Sequence, residues 1–141
     1  FGATAMAQSW PVKPIKVIAP YPPGGPSDLV MRTAAEKIQA ILKQPIVIEN
    51  IAGSSGLIGA DRLAKAAPDG YTFLIHHNGM STAPALYRKM SFNPLTDFEY
   101  VSQAVDVPMT LLGRKDFPAN NFQELLTYIR ANKDKVSLAN V

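Results

Sequence analysis

Three short segments hold the residues whose types and spacing could support chemistry. The first is a proline- and glycine-rich turn, Pro20–Asp28, the second is a glycine- and serine-rich loop, Asn50–Gly56, and the third is His76–Gly79. A glycine loop that leads into a helix leaves backbone N–H groups free at the positive end of the helix dipole, where they can bind an anion. The sequence therefore predicts an anion site, although the first turn is also compatible with a tight structural connector.

Other kinds of site fit these segments less well. The first turn lacks the G-x-x-x-x-G-K-[ST] and G-x-G-x-x-G spacings of nucleotide sites, although Glu49 ends a predicted strand where a dinucleotide site places an acid. Ser54 and Ser55 lie outside a G-x-S-x-G context, which favours helix capping over a nucleophilic role. His76 and His77 are adjacent at a predicted strand end, so they should project to opposite faces and not share a metal. The sequence thus predicts no catalytic residue, metal site or cofactor, with a ligand contact left open for His77.

The three segments follow a repeated strand–loop–helix pattern. Apolar runs predict strands at Ile15–Ala19, Pro45–Glu49 and Tyr71–Ile75, and helical periodicity predicts helices at Ser27–Leu42 and Leu57–Ala67. Strands separated by helices favour right-handed βαβ crossovers and a parallel sheet. The three loops should then meet at the carboxyl edge of that sheet, where open α/β sheets bind their ligands.

Finer patterns refine the packing of the first helix and the organisation of the second half. The apolar stripe of the first helix, which should pack on the sheet, comprises Val30, Ala34, Ile38, Ile41 and Leu42. Asp28 and Arg32, one turn apart, are interpreted as a surface ion pair. In the second half of the chain, the pattern predicts a short helix at Ala83–Leu86 and β-like runs at Tyr100–Val105 and Met109–Leu112. It also predicts an amphipathic helix at Phe122–Ala131, capped by Asn121 and Glu124, and a terminal strand at Val136–Val141. The long extended stretch suggests a crossing into another domain.

Composition restricts the classes of function. The 141 residues are 47% hydrophobic, which suffices for a packed core, and scattered lysines and arginines with a net charge of +3 predict no nucleic-acid surface. The absence of cysteine excludes disulfides and thiolate chemistry, and no apolar run reaches the length of a membrane span. Ala5-Met6-Ala7 fits an A-x-A cleavage site, so Phe1–Ala7 is interpreted as the tail of a secretory signal peptide and Gln8 as the mature start, with a cytosolic terminus as the alternative.

Four motifs, taken in order, resemble the Bug (Bordetella uptake gene) or TctC-like family of tripartite tricarboxylate transporter receptors. They are V-I-A-P-Y-P-P-G-G-x-S-D (Val17–Asp28), P-I-V-I-E-N (Pro45–Asn50), G-x-x-G-x-x-G-A-D-x-x-A-K-A-x-P-D-G-Y-T-x-L (Gly53–Leu74) and L-Y-x-K-x-x-x-x-P-x-x-D-F (Leu86–Phe98). The resemblance runs from about Trp10 to Val141. It implies an α/β protein of the periplasmic-binding-protein type, a type II Venus flytrap, with a parallel-rich βαβ sheet in its first lobe.

The resemblance also implies an organisation and a biological setting. Residues 8–106 would form the first lobe and residues 107–141 the start of a second, truncated lobe, because the family is about twice as long. The protein would be a periplasmic, Gram-negative receptor, monomeric when full length, that binds a small carboxylate and serves the membrane subunits of a transporter. Family ligands are di- and tricarboxylates, acidic amino acids and aromatic acids. The rival interpretation is an α/β enzyme, a hydrolase or a nucleotide-dependent enzyme, that uses the same loops.

In the family, the ligand carboxylate is held by the loops after the first and third strands. Carried across, the candidate ligand-binding residues are Tyr21, Pro22, Gly24, Gly25, Ser27 and Asp28 in the first loop, and His77, Asn78, Gly79, Ser81 and Thr82 in the third. Gly25 is expected to allow close approach with a positive φ, and Asp28 to cap the helix or to accept from a ligand ammonium or a bridging water. Two departures, Pro26 without an N–H and the bulky His76-His77 pair, leave the ligand's identity open.

Overall fold

The computed structural model describes residues 10–108 and 110–137. Three strands alternate with helices in the first part of the chain: β1 Ile15–Ala19, α1 Pro26–Leu42, β2 Ile46–Asn50, a 3-10 turn at Ser54–Gly56, α2 Leu57–Ala64, β3 Thr72–Leu74 and α3 Gly79–Leu86. One further helix, α4, spans Phe122–Ala131. The predicted order of strands and helices is confirmed, with α2 ending three residues earlier than expected and α3 beginning four residues earlier.

The strands form a parallel sheet in the order β2-β1-β3, which confirms the predicted βαβ arrangement. β1 is central, and its register pairs Val17 with both Ile48 and Phe73. A parallel sheet with this order has its topological switch point between the carboxyl ends of β1 and β3. That is the position at which a ligand crevice is expected, so the loops that follow β1 and β3 define the candidate site.

Helix α1 covers one face of the sheet. Val17, Met31 and Ala35 form a buried cluster, and the partly buried residues packed on it are Ala34, Ile38, Ile46, Ile48, Phe73 and Ile75. The predicted stripe is therefore correct for Ala34 and Ile38 but wrong for Ile41, whose residue is 76% exposed. The packed centre lies at Met31 and Ala35, and Ile41 lies about 9 Å further along the helix axis, beyond the short strands.

Helix α2 packs closely against β1. A Cβ added at Gly59 would lie 2.7 Å from the Pro20 Cβ and 3.2 Å from the Ile18 Cγ2, so only glycine allows this approach. The apolar cluster beside it contains Ala60, Met80 and Phe92, with Leu57, Ala64, Leu74, Met90 and Phe98 packed around them. This packing holds α2 against β1, the strand that precedes the first glycine-rich turn.

The chain divides into two compact units between Val101 and Ser102. The β-like run Tyr100–Val105 forms no strand, and neither do the described residues of the run at 110–112. Most of these side chains are exposed, and a strand requires a hydrogen-bonded neighbour, which the described part of the second unit does not supply. The strand predictions here are therefore wrong, with Met109 itself outside the described residues.

The second unit contains α4 and its predicted cap. Asn121 Oδ1 accepts from the Glu124 N–H at 3.0 Å, and Glu124 Oε2 accepts from the Asn120 N–H at 2.8 Å. The capping prediction is confirmed, with the return bond made one residue earlier than in the usual capping box. Of the terminal run, Val136 and Ser137 are not in a strand, and residues 138–141, like the leader segment 1–7, lie outside the described residues. Within the described ranges, none of the helices combines the length and the apolar character needed to span a bilayer.

Candidate ligand site at the carboxyl edge of the sheet

Three loops meet at the carboxyl edge of the sheet, as predicted. They are the β1–α1 loop (Pro20–Gly25), the β2–α2 loop (Ile51–Gly56) and the β3–α3 loop (Ile75–Asn78). Tyr21 connects them, because its hydroxyl donates to the Ser55 carbonyl at 3.4 Å and its ring lies 4.8 Å from the His77 ring and 5.8 Å from the His76 ring, centroid to centroid. Tyr21 and His77 therefore touch across the switch point between β1 and β3.

The β1–α1 loop is anchored by the carboxylate of Asp28, which is only 1% exposed. Its Oδ2 accepts from the Gly24 N–H at 2.9 Å and from the Arg32 Nε at 2.8 Å, and its Oδ1 accepts from the Asn50 Nδ2 at 2.9 Å. Asn50 Nδ2 also donates to the Tyr21 carbonyl at 3.1 Å, and Asn50 Oδ1 accepts from Arg32 Nη2 at 3.1 Å. The predicted Asp28–Arg32 pair exists, but the prediction of a surface pair is wrong for Asp28, because its carboxylate joins the loop, α1 and the end of β2.

These contacts stabilise the charged form of Asp28. The hydrogen bond from Arg32 has the largest effect, followed by those from Gly24 and Asn50, and together they hold the pKa of Asp28 well below its usual range although burial opposes them. The same contact raises the pKa of Arg32. Sequence reasoning missed the parts played by Arg32 and Asn50; the i, i+4 spacing of Asp28 and Arg32 was the available sign for the first, and no local pattern marks the second.

The anchoring decides which backbone amides are left for a ligand. The Gly24 amide is bonded to Asp28, the Gly25 amide donates to the Pro22 carbonyl at 3.3 Å, and Pro26 has no N–H. The first amide of α1 with a backbone acceptor is that of Leu29, which donates to the Gly25 carbonyl at 3.0 Å. The Ser27 amide is therefore the donor available at the helix N-terminus, since Asp28, whose amide also lacks a backbone acceptor, is buried.

The two glycines of this loop differ in backbone conformation. Gly24 has φ +82°, whereas Gly25, the residue that precedes α1, has φ −71°. The expectation of a positive φ at Gly25 is therefore wrong, and Gly24 is the position where a side chain would be strained. A Cβ at Gly25 would lie 3.3 Å from the Pro22 carbonyl oxygen, so its constraint is steric and mild.

The β2–α2 loop forms a left-handed turn under the other two loops. Ser54 and Ser55 have φ +48° and +54°, between Gly53 at +131° and Gly56 at +91°. The expected capping role of the serines is wrong, because Gly56 occupies the N-cap position of α2 without a side-chain cap. Gly56 has no room for a side chain, since a Cβ there would lie 2.7 Å from the His76 Nε2 and 3.0 Å from the Tyr21 hydroxyl.

The two histidines lie close together, contrary to expectation. β3 ends at Leu74, so the alternation of side chains along a strand does not extend to His76 and His77, and their rings meet edge to face at 5.2 Å. His77 N–H donates to the His76 Nδ1, and the Gly79 N–H donates to the His77 Nδ1, both at 2.9 Å. His76 Nε2 is buried and meets no partner in hydrogen-bond geometry within the described chain.

Burial alters the titration of two of these rings. It lowers the pKa of His76, an effect that the neighbouring His77 and Gly56 backbone groups only partly offset. It also raises the pKa of Tyr21 to about 12. Tyr21 and His76 are therefore both uncharged at neutral pH.

A family model described as the tripartite tricarboxylate transporter family receptor matches residues 30–141. The chain belongs to this family. A curated relative from Agrobacterium vitis, a UPF0065 protein encoded in the TAR-I ttuE-ttuC' intergenic region, is 40% identical over 134 residues, which cover 94% of this chain and 39% of the relative. The chain thus spans about two fifths of the length of the curated relatives it matches.

Three solved structures are similar in fold to this chain. The periplasmic binding protein BugD is 46% identical with a TM-score of 0.72, over 93% of this chain and 44% of BugD. MatC from Rhodopseudomonas palustris, with bound malate, is 38% identical with a TM-score of 0.76, over 90% of this chain and 44% of MatC. A further R. palustris protein, with adipate, is 31% identical with a TM-score of 0.61, over 87% of this chain and 42% of that protein. The predicted fold, an α/β periplasmic binding protein, is confirmed.

The remaining candidates of the third loop lie at the start of α3. Ser81 Oγ donates to the Asn78 carbonyl at 3.1 Å, and Thr82 Oγ1 donates to the Gly79 carbonyl at 3.3 Å. These hydroxyls bond to the first turn of their own helix, on the same side of the sheet as His77. No group of three or more side chains suited to hold a metal is present within residues 10–108 and 110–137.

Proposed function

We propose that the full-length protein is a periplasmic receptor that captures a small carboxylate for a tripartite tricarboxylate-type transporter and does no chemistry on it. The family and the malate and adipate bound to its structural relatives support this proposal. The observation that carries it is the available amide of Ser27 at the N-terminus of α1, beside the switch point. A ligand carboxylate there would receive a charge-assisted hydrogen bond that contributes about 1.5–3 kcal/mol, and the helix dipole would add to it.

The rest of the first wall would shape this anion site. Tyr21 and His77 form a stacked pair over the crevice, and the hydroxyls of Ser81 and Thr82 lie at the start of α3. In this proposal Gly24 and Asp28 act on the ligand indirectly, because the Asp28 carboxylate binds the Gly24 amide and so fixes the loop. Direct contacts come from the Ser27 amide and from the ring pair.

A second wall would come from the remainder of a longer protein. Relatives of this chain are more than twice as long, and we assign residues 107–141 to the beginning of a second lobe. A carboxylate held by one lobe would lack the donors of the other. The 141-residue chain alone should therefore bind any ligand more weakly than the full-length protein, as calorimetry of both would measure; equal affinities would contradict the two-lobed site.

The export and the partners of the protein are also part of the proposal. We expect a cleaved leader that ends at Ala7, a mature chain that begins at Gln8, and docking to the membrane subunits of the transporter by the ligand-bound form. Cell fractionation followed by mass spectrometry of the amino terminus tests the leader. An uncleaved form in the cytosol would contradict export.

Titration calorimetry of the full-length protein with malate and with adipate tests the binding proposal. Dimethyl malate, which lacks both charges, serves as the ligand control. Ser27→Pro removes one amide donor at a first-turn position that accepts proline, and Ser27→Ala keeps the amide while it removes the hydroxyl. We expect Ser27→Pro to weaken carboxylate binding about 10-fold, equivalent to about 1.4 kcal/mol, and Ser27→Ala to leave it nearly unchanged, with melting temperatures confirming that both fold.

The rival class, an α/β enzyme, gives a different result in the same experiment. Binding without change of the ligand, checked by NMR of the recovered carboxylate, supports the receptor. Turnover of the ligand, or an equal loss of binding in the Ser27→Ala and Ser27→Pro variants, would overturn the proposed site.

A further inference from the structure

The imidazole of His77 is held on two sides. The Gly79 N–H, at the first residue of α3, donates to its Nδ1 at 2.9 Å. One face of the ring stacks on Tyr21, with centroids 4.8 Å apart and ring planes inclined by 17°. The residue as a whole is nevertheless exposed at the edge of the sheet. A ring that is both fixed and exposed at a switch point is placed to contact a ligand.

The contact with Gly79 determines which nitrogen of His77 carries the hydrogen. A backbone N–H can only donate, so the Nδ1 must accept. A neutral imidazole with an accepting Nδ1 carries its hydrogen on Nε2. His77 therefore presents an Nε2–H donor, on the nitrogen that does not position the ring. Protonation at Nδ1 would replace the acceptor with a donor that faces the Gly79 amide.

The rings that touch His77 are uncharged at neutral pH. The rings it touches are Tyr21, from the β1–α1 loop, and His76, from its own loop. Burial raises the pKa of Tyr21 to about 12 and lowers the pKa of His76, so both are neutral at pH 7. No carboxylate is hydrogen-bonded or ion-paired to either histidine within the described chain.

We propose that His77 is a specificity-determining residue that binds the ligand as a neutral Nε2–H donor, with the Gly79 amide and the Tyr21 ring as the groups that position it. The inference rests on the proposed function, since it assigns a role within that same site. It selects ligands that place an acceptor oxygen, from a carboxylate or a hydroxyl group, opposite the Nε2 edge of the ring. The Ser27 amide would hold the charged end of the ligand, while His77 recognises a second acceptor.

Two variants of the full-length protein separate the donor from the positioning bond. In His77→Asn, the side-chain oxygen can take the place of Nδ1 and accept from Gly79, but no group replaces Nε2–H. In His77→Gln, the longer amide can place an N–H near the position of Nε2. With malate and adipate as probes, we expect His77→Asn to weaken binding about 10-fold at an unchanged melting temperature, and His77→Gln to restore it to within about threefold of the wild type.

Nitrogen NMR of the imidazole ring distinguishes a ligand-binding role of His77 from a purely structural one. The His77 resonances, assigned by their loss in His77→Asn, should show the Nε2–H tautomer in the ligand-free protein and a shift of Nε2 on addition of malate.

Each contrary outcome has a distinct meaning. A doubly protonated His77 ring in the malate complex at neutral pH, seen in the same NMR experiment, would overturn the neutral-donor assignment. Equal affinities of wild type and His77→Asn, or an Nδ1–H tautomer in the ligand-free protein, would also overturn it while leaving the proposed receptor function intact. Failure of the wild type to bind either probe would instead contradict the proposed function itself, and this inference with it.

Discussion

The β1–α1 and β3–α3 loops flank the same crevice but are held in different ways. The first is fixed by the buried carboxylate of Asp28, which bonds to groups from the loop, from α1 and from the end of β2. The third is fixed mainly by bonds between neighbouring residues, such as Gly79 to His77, and by the stacking of His77 on Tyr21. The third loop thus takes part of its position from the first. A change in the first loop should be felt in the third, whereas the reverse effect should be small.

The largest effect should follow from removal of the Asp28 carboxylate. Asp28→Ala leaves the Gly24 amide, the Asn50 amide and the Arg32 guanidinium without their common acceptor. We expect the loop to shift and the affinity for malate to fall about 100-fold, equivalent to about 2.8 kcal/mol. Calorimetry measures the affinity, and circular dichroism checks that the variant is folded.

Asp28→Asn is the matched control for this prediction. It keeps the shape of the side chain and one acceptor oxygen, so it should weaken binding by less than Asp28→Ala does. An NMR comparison should show shifted His77 resonances in Asp28→Ala, because His77 stacks on the loop that Asp28 fixes. Unchanged His77 resonances would contradict the dependence of the third loop on the first.

The next largest effect should come from Gly24. At φ +82° an alanine is strained by roughly 1–2 kcal/mol, although no atom lies within 4 Å of its Cβ position. Gly24→Ala should therefore lower the free energy of unfolding by about 1 kcal/mol and weaken binding about fivefold, as denaturant titration and calorimetry would measure. Gly25→Ala, at φ −71°, is the control and should have the smaller effect on stability. A larger loss of stability at Gly25 would show that the steric contact with Pro22 matters more than backbone strain.

Acidification should lower the stability of the protein in two steps, one that depends on His76 in the third loop and one that depends on Asp28, which fixes the first. The pKa of His76 is lowered on folding, so its neutral form contributes stability above the unfolded value near 6.5, and that contribution is lost as pH falls below it. The pKa of Asp28 is also lowered, so its contribution is complete above about pH 3.9 and is lost only below that value. Urea midpoints measured from pH 8 to pH 2.5 should therefore decline in two steps.

Two variants assign the steps. His76→Asn should remove the step near neutrality, and Asp28→Asn should reduce the acidic step, to which Asp61, Asp69 and Glu124, whose pKa values are also lowered, contribute the rest. The assignment fails if the same variant flattens both steps or if neither variant changes its own. The comparison is sharper than a single denaturation curve because each variant serves as the control for the other.

The smallest effect should come from Tyr87, which follows α3. Its hydroxyl donates to Ser55 Oγ over 3.3 Å at an exposed position. Tyr87→Phe should change the free energy of unfolding by no more than about 0.5 kcal/mol and leave malate binding unaffected. A loss comparable to that of Gly24→Ala would show that the third loop has a long-range anchor of its own, which would remove the contrast between the loops.

Most of the fold could be predicted from the sequence, because the apolar runs and helical periods in residues 15–75 are local patterns that the parallel sheet uses directly. The prediction failed where a residue's environment depends on partners distant in sequence. The run Tyr100–Val105 has strand-forming residues, but a strand exists only with a neighbour, and no segment within the described residues pairs with it. Ile41 fits the apolar stripe of α1, but the short strands do not reach it.

The sequence predicted which loops form the site, but not which of their atoms are available to a ligand. The Gly-rich turn and the helix N-terminus were evident, but the sequence does not reveal that the Asp28 carboxylate binds the Gly24 amide, which leaves the Ser27 amide as the available donor. It also placed His76 and His77 on opposite faces, because the end of β3 at Leu74 could not be located to within two residues. Errors of this size at the end of a strand are enough to change which side chains meet.

The central position of β1 has a consequence for folding during synthesis. β1 is made first on the ribosome, yet its two neighbours are made later, since its register pairs Ile15 with Ile46 on one edge and Lys16 with Thr72 on the other. Until residue 74 has emerged, at least one edge of the most apolar strand in the sheet is open to pairing with another chain. The order in which the strands are synthesised therefore makes β1 the segment that most needs protection before the sheet is complete.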